Sequence, residues 1–347
     1  MTDPGPDPSD NLNETSPVPV GRAFLGGVLM GMANLVPGIS GGTMLVACGI
    51  YRRFIDAVSS ATRLRLTRNT LLMLMMVVGG AVISVGGLAG AISWALAEHR
   101  WVMYSVFIGL TLGGLPILWK LAKPGGRDVW GGAVLGALLM GGLVYLQESG
   151  ATGQGLTGPI GLGVGGAAAA GAMILPGVSG AFLLLLLGQY EPIIDAIKNT
   201  IGALKDGDVR AVLRQMRTVI PVGVGVIVGV VGVSNLLRWL MHRFEHPTLG
   251  VLMGLLIAAP AGLYPFRAGV EPQIGDVLKG TVVVEENLAE MRSIANSKDW
   301  KQRAYTPAPV QIAGSGALIV LGVAATLGIA MLGRDKPERA NTTEREP

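Results

Sequence analysis

The chain has 347 residues, half of them hydrophobic, only 14% charged and 53 of them glycine. That balance is far from a soluble domain and close to an integral membrane protein. The net charge of +4 comes from Lys and Arg in short segments between apolar runs, where cytoplasmic loops carry them, so nucleic acid is excluded as a partner.

Residues 1–20 are rich in Pro, Asp, Asn and Ser and lack an apolar run, which predicts a disordered tail rather than a cleavable signal peptide. Residues 23–51 follow without a charge but are interrupted by Pro37-Gly38-Ile39-Ser40-Gly41-Gly42-Thr43. The lone cysteine, Cys48, lies inside this stretch and reads as a small packing residue. Arg63, Arg65 and Arg68 mark a loop, and charge-free spans at 71–97, 101–119 and 129–146 complete a first membrane repeat over 21–147. A second repeat covers 158–333. It has a broken stretch at 159–190, spans at 218–237, 247–266 and 310–333, and a polar insertion at 268–309 that predicts a small extramembrane hairpin or helix. Within the insertion Glu286 and Glu290 are one helical turn apart, a spacing that a solvated face explains. Residues 334–347 predict a disordered basic tail.

The two broken stretches are copies. At a constant offset of 139, Pro37, Gly38, Ser40, Gly41, Leu45, Gly49, Tyr51, Ile55, Asp56 and Ala57 recur as Pro176, Gly177, Ser179, Gly180, Leu184, Gly188, Tyr190, Ile194, Asp195 and Ala196. Farther along, Trp94, Gly109 and Leu110 match Trp239, Gly254 and Leu255 at an offset of 145. The predicted fold is therefore an all-α polytopic membrane protein of two homologous repeats, each a Pro-Gly-broken segment plus three transmembrane helices. Two topologies fit. If each broken stretch crosses once there are eight crossings, with a positive-inside bias that leaves the basic C-terminal segment on the wrong side. If each break is the tip of a re-entrant hairpin, the halves are inverted and the motifs approach the midplane from opposite leaflets, the arrangement preferred here.

Proline removes a backbone donor and glycine weakens a helix, so a matched pair of such breaks in apolar segments marks a transport site. Ser40, Gly41, Gly42 and Thr43 place free N–H groups and hydroxyls at a helix start, which suits an anion such as phosphate or carboxylate. Ser179 and Gly180 offer the same backbone, with Phe182 in place of Thr43. Close helix packing through small residues is the structural alternative, and the repetition favours a site. Arg52 and Arg53 are candidates for gripping an anionic headgroup, and Asp56, Glu191 and Asp195 for taking protons. His99, His242 and His246 lack a carboxylate cluster at metal-ligand spacing, and no nucleotide-binding loop is present.

On the run Pro37 to Thr43 with Gly49 and Tyr51, and its partner Pro176 to Gly180 with Gly188 and Tyr190, the chain resembles the PopT-type bacterial polyprenyl-phosphate transporters. The resemblance covers about 22–333 and implies a multi-pass protein of the bacterial cytoplasmic membrane. It further implies that the protein returns undecaprenyl phosphate across that membrane for cell-envelope synthesis, without enzymatic chemistry or a cofactor. The acidic residue common after the family's tyrosine is Arg52 in the first repeat and Glu191 in the second; before the motif, Asn34 stands where an acid is frequent. Undecaprenyl pyrophosphate phosphatases are similar in architecture, but Gly41 and Gly42 stand where they carry Arg and Ser, which removes the charge stabilisation that phosphoryl transfer needs. A secondary transporter of a small anion is the other alternative.

Overall fold

The computed structural model describes residues 17–36, 38–149, 158–278, 281–294 and 302–332. Most of the predicted N-terminal tail, the motif residue Pro37 and the predicted C-terminal tail lie outside the described residues.

The first broken stretch is two helices, α1 (Val20–Asn34) and α2 (Gly41–Ala47), followed by α3 (Tyr51–Thr62). Gly38 takes φ +90°, a conformation that only glycine adopts without strain, and extended Ser40 leads into α2. The chain thereby turns back on itself. The space at Gly41 is bounded by Met30 and Asn34 of α1, and that at Gly26 by Leu45, Cys48 and Ile50, so α1 and α2 form a hairpin. At its end the Gly49 N–H bonds Val46 O and the Ile50 N–H bonds Leu45 O, a Schellman cap with Gly49 at φ +67°.

The second stretch repeats this order of elements: α8 (Gly158–Ile174), α9 (Gly180–Leu186) and α10 (Tyr190–Lys205). Gly177 has φ +87°, Ser179 is extended, and Gly188 N–H to Leu185 O with Gln189 N–H to Leu184 O forms the same cap. The positions that recur in the sequence are thus those that set the turns. Beyond the cap, α9 and α10 meet at 115°.

Between and after these hairpins run α4 (Arg68–Glu98), α5 (Arg100–Gly113), α6 (Leu115–Ala122), α7 (Arg127–Glu148), α11 (Val209–Arg243), α12 (Glu245–Gly262) and α14 (Pro309–Leu332). Among the described residues, five helical stretches are long and apolar enough to cross a membrane: Arg68–Glu98, Arg100–Ala122, Arg127–Leu146, Val209–Arg243 and Pro309–Met331. Their outer faces expose Val82, Ile83, Leu138, Ile227 and Val320, as a lipid-facing surface requires. The chain is a multi-pass membrane protein.

In such a medium apolar faces do not drive helices together; close backbone approach through small residues does. The pairing follows the glycines. Within each half, Gly27 lies on Val77 O of α4 and Gly225 of α11 on Gly163 O of α8. Between halves, Gly109 of α5 lies on Ile319 O of α14, and Gly254 of α12 on Ala133 O of α7, with Thr326 Oγ1 donating to Leu110 O at 3.2 Å. In every pair the helices run parallel, since successive glycines meet successive residues of the partner in order: Gly27 and Gly31 meet Val77 and Ala81, Gly225 and Gly229 meet Gly163 and Ala167, Gly109 and Gly113 meet Ile319 and Thr326, and Gly132 and Gly136 meet Pro247 and Val251. Each half thus lends its second long helix to the other half's third.

The insertion begins with β1 (Arg267–Gly269), which pairs antiparallel with β4 (Gln302–Ala304); between them lie the β2 (Val277–Leu278) and β3 (Thr281–Val282) hairpin and α13 (Leu288–Ile294). Val283 is buried against Leu288 and Met291. The insertion contains both a hairpin and a helix, where the sequence predicts one or the other, clamped by a second strand pair.

A Cβ at position 254 would overlap Ala133 O, whereas nothing lies within 4 Å of one at Gly79. Gly254→Val is expected to cost about 1–3 kcal/mol by overpacking. Thermal unfolding in detergent should show a lowered midpoint for Gly254→Val and an unchanged one for Gly79→Ala.

Candidate functional site at the paired helix breaks

The two breaks meet inside the protein. Ser40 Oγ donates to Leu175 O at 2.7 Å, the Gly177 N–H donates to Thr43 Oγ1 at 2.9 Å, and Tyr51 OH donates to Ile174 O at 3.0 Å. Each bond crosses from the first repeat to the backbone that precedes or forms the second break. Ending α8 at Ile174 leaves carbonyls without helical partners, and these are the groups that Ser40 and Tyr51 satisfy. Gly42 permits the approach: a Cβ there would stand 2.7 Å from Ile174 O. On the far side, one at Gly177 would stand 2.9 Å from Leu255 O, which packs the second break against α12. Gly180 lies similarly on Ala169 O of its own hairpin, and Gly38 faces Leu263. Ser40, Thr43, Pro176, Gly177, Ser179 and Gly180 are all buried.

The contact is one-sided. At the repeat offset the mates of Ile174 and Leu175 are Leu35 and Val36, yet among the described residues neither Tyr190 nor Ser179 makes the corresponding bond to them. Phe182, where Thr43 stands in the first copy, has no hydroxyl to offer the Gly38 backbone.

The charged candidates lie elsewhere. A cavity of about 440 Å³ near the cap of α2 is lined by Gly49, Tyr51, Arg22, Arg52, Arg53 and Lys120, with Ile117, Leu118, Leu121, Met241 and Leu249 as its apolar wall. Tyr51 links this cavity to the breaks, because its hydroxyl reaches Ile174 O. Arg52 is ion-paired to Glu245 at the start of α12, and Arg53 Nη1 donates to Pro17 O at 2.9 Å. Asp56 is mostly buried and pairs with Arg238 of α11 at 3.7 Å; next to it, Ser59 Oγ and Arg63 Nε both donate to Asn235 Oδ1, fixing α3 to α11. Asp195 pairs with Lys198 at 3.9 Å in the open, and Glu191 is exposed with no ion pair among the described residues. No group of three His, Cys, Asp or Glu positioned to hold a metal occurs among the described residues.

The structure therefore brings Ser40, Gly42, Thr43, Pro176 and Gly177 together and puts Arg52 and Arg53 in a separate basic cavity joined to them by Tyr51. Sequence reading missed Arg22, Lys120, Tyr51 as a contact and Glu245 as the partner of Arg52. Only Tyr51 carried a signal, its recurrence as Tyr190; the others come from segments far apart in the chain.

Two broken hairpins joined at their breaks, amid long apolar helices, are an arrangement that membrane transporters use. The chain belongs to the undecaprenyl phosphate translocase-like family, which residues 30–276 match. It is 27% identical over 288 residues to the polyprenyl-phosphate transporter of Vibrio cholerae serotype O1, covering 77% of this chain and 84% of that one. It is 25% identical over 250 residues to the polyprenyl-phosphate transporter of Staphylococcus aureus, covering 70% and 85%. No solved structure matches it.

Thr43→Val keeps the shape of the side chain and removes the acceptor, leaving the buried Gly177 N–H unpaired. It is expected to destabilise by about 1–3 kcal/mol, and Tyr51→Phe by about 0.5–1.5 kcal/mol. Denaturant unfolding in detergent micelles checks both, with Tyr190→Phe, which breaks no bond between the repeats, expected to be neutral.

Proposed function

We propose that the protein is a translocase that returns undecaprenyl phosphate across the bacterial cytoplasmic membrane, binding the headgroup at the paired helix breaks and leaving the tail in lipid. The observation that carries this reading is the meeting of the two Pro-Gly breaks through Ser40, Thr43 and the Gly177 N–H. These are two hydroxyls and an amide, the donors that a phosphate oxygen accepts from, and they are held without a buried cation. The two curated relatives are named polyprenyl-phosphate transporters, which agrees with a phosphate lipid as cargo.

A phosphate headgroup does not cross hydrocarbon unaided, since an unpaired charge there costs several kcal/mol or more. In transit the headgroup takes over the groups that now bond each other. Ser40 turns its hydroxyl from Leu175 O to a phosphate oxygen, and Thr43 releases the Gly177 N–H and donates its own proton. Ser179 and the N–H groups at Gly41, Gly42 and Gly180 complete the sheath. Arg52 and Arg53, with Arg22 and Lys120, collect the anion in the basic cavity first. Inward movement of one negative charge against about 100 mV costs roughly 2.3 kcal/mol, so retrieval is driven by a lipid gradient or by proton uptake, for which Asp56, Glu191 and Asp195 are the candidates.

The two hairpins are re-entrant and the halves inverted in this reading. The parallel packing of α1 on α4 and of α8 on α11 supports it, because α1 starts beside the Arg52 cavity whereas α11 ends there, at Met241. Each motif then reaches the midplane from its own leaflet, and alternating exposure of the shared site completes a cycle.

In proteoliposomes containing undecaprenyl phosphate, the wild-type chain is expected to move the lipid between leaflets and to release no phosphate from the pyrophosphate form. Ser40→Ala should slow movement about tenfold, the loss of one hydrogen bond to a charged group, and Gly41→Leu should abolish it. Normal movement by a well-folded Gly41→Leu protein would move the site away from the breaks. Uptake of a soluble anion without lipid movement would replace the cargo.

A further inference from the structure

The basic cavity has a counterpart at the opposite end of the molecule, about 30 Å away along α5–α6 at 1.5 Å per residue from Arg100 to Lys120. This second cavity, about 630 Å³, lies under the insertion and is lined by Arg100, Arg267, Glu98, Tyr305, Gln311 and Leu35, the residue at the tip of the first hairpin. Arg100 has Nη2 3.2 Å from Tyr104 OH and its guanidinium 4.6 Å from the Tyr104 ring centroid, while its Nε is buried with no hydrogen-bond partner.

The repeat relates the charges at the two ends. At the 145 offset Arg100 is the mate of Glu245, and the surroundings agree: both open a helix, His99 and Phe244 precede them with φ −130° and −134°, and Trp94 on His99 and Trp239 on Phe244 form edge-on pairs at 5.5 and 5.7 Å. At the 139 offset Arg52 is the mate of Glu191, each the second residue of its helix after a tyrosine. The ion pair Arg52–Glu245 at one end therefore corresponds, with its charges exchanged, to Glu191–Arg100 at the other. The first pair is made and the second is not. The helices differ in the same sense, because α3 is docked across the halves on α11 whereas α10 has no comparable packing on α4. So do the breaks, where Tyr51 reaches Ile174 O but Tyr190 does not reach Leu35, which faces the second cavity instead.

We propose that Arg100 is the anion-binding residue of the insertion end, taking a phosphomonoester headgroup when that end is open and Glu191 when it closes. The phosphate and the Glu191 carboxylate are alternatives for one guanidinium, as phosphate and Glu245 are for Arg52, so a headgroup entering at either end takes the arginine from its glutamate and holds that end open. This rests on the reading of alternating exposure at a shared site.

Two measurements on the full chain test it. In a Cys48→Ala background, which leaves no other thiol, the pair Arg100→Cys and Glu191→Cys is treated in membranes with a short bifunctional thiol reagent, and Arg52→Cys with Glu245→Cys serves as the pair already in contact. Each pair should cross-link in its own two-cysteine protein, and joining 52 to 245 first, in a four-cysteine protein, should suppress the 100–191 link, because the two ends close in alternation. Separately, Arg100→Gln should bind undecaprenyl phosphate in detergent about ten- to a hundredfold more weakly, the loss of a charged hydrogen bond, while Glu191→Gln binds at least as tightly as wild type. No 100–191 link in the two-cysteine protein under conditions where the separate 52–245 protein links, an undiminished 100–191 link after 52 and 245 are joined, or wild-type affinity in Arg100→Gln, overturns the proposal. A 100–191 link together with weaker binding of a soluble phosphomonoester by Arg100→Gln, in a protein that moves no lipid, keeps the site and overturns the lipid cargo.

Discussion

A backbone amide or carbonyl in hydrocarbon must be bonded within the protein, because lipid offers it nothing. Everything distinctive here follows from breaking two helices in spite of that rule. Ending α8 at Ile174 and starting α9 at Gly180 strands backbone groups between them, and the first repeat supplies the missing partners through Ser40, Thr43 and Tyr51. The second break is therefore held by side chains of the first. The glycines around it have the complementary task of removing Cβ atoms, so that Gly42 can lie on Ile174 O and Gly177 on Leu255 O.

In the proposed function the same groups hold the headgroup. A hydroxyl that bonds a carbonyl and an amide that bonds a hydroxyl can both be redirected to an anion with little displacement, whereas a buried salt bridge would have to be taken apart. Charge is kept at the margins. Arg22, Arg52, Arg53 and Lys120 line a cavity near one end and Arg100 and Arg267 one near the other, where water lowers the cost of ionisation. The asymmetry between the two copies, made bonds on one side and unmade ones on the other, is the difference that two states of a single machine would show.

Much of the fold was legible in the sequence because the repeat registers backbone geometry. Gly38, Gly49 and their mates recur since each must take positive φ, and Leu45 and Leu184 recur at the carbonyl that closes the cap. The hydroxyls of Ser40 and Thr43 were legible as polar groups at a break; that they bond the other break was not, since no spacing within one segment encodes a partner 135 residues away. Nor was the exchange of long helices between halves, because helices that are apolar on every face carry no stripe to say which side is buried. Glu245 and Lys120 escaped for a related reason: each is a lone charge at the edge of a span, and its role appears only when distant segments are brought to one cavity.

The lending of α5 to α14 and of α12 to α7 bears on how such a chain is assembled. A single half with this packing would find a mate for its own long helices only in a second copy. During synthesis α5 and α7 enter the bilayer well before α12 and α14 exist. Their glycine faces, Gly109 and Gly136 among them, must wait with only lipid against them until the later helices emerge from the ribosome.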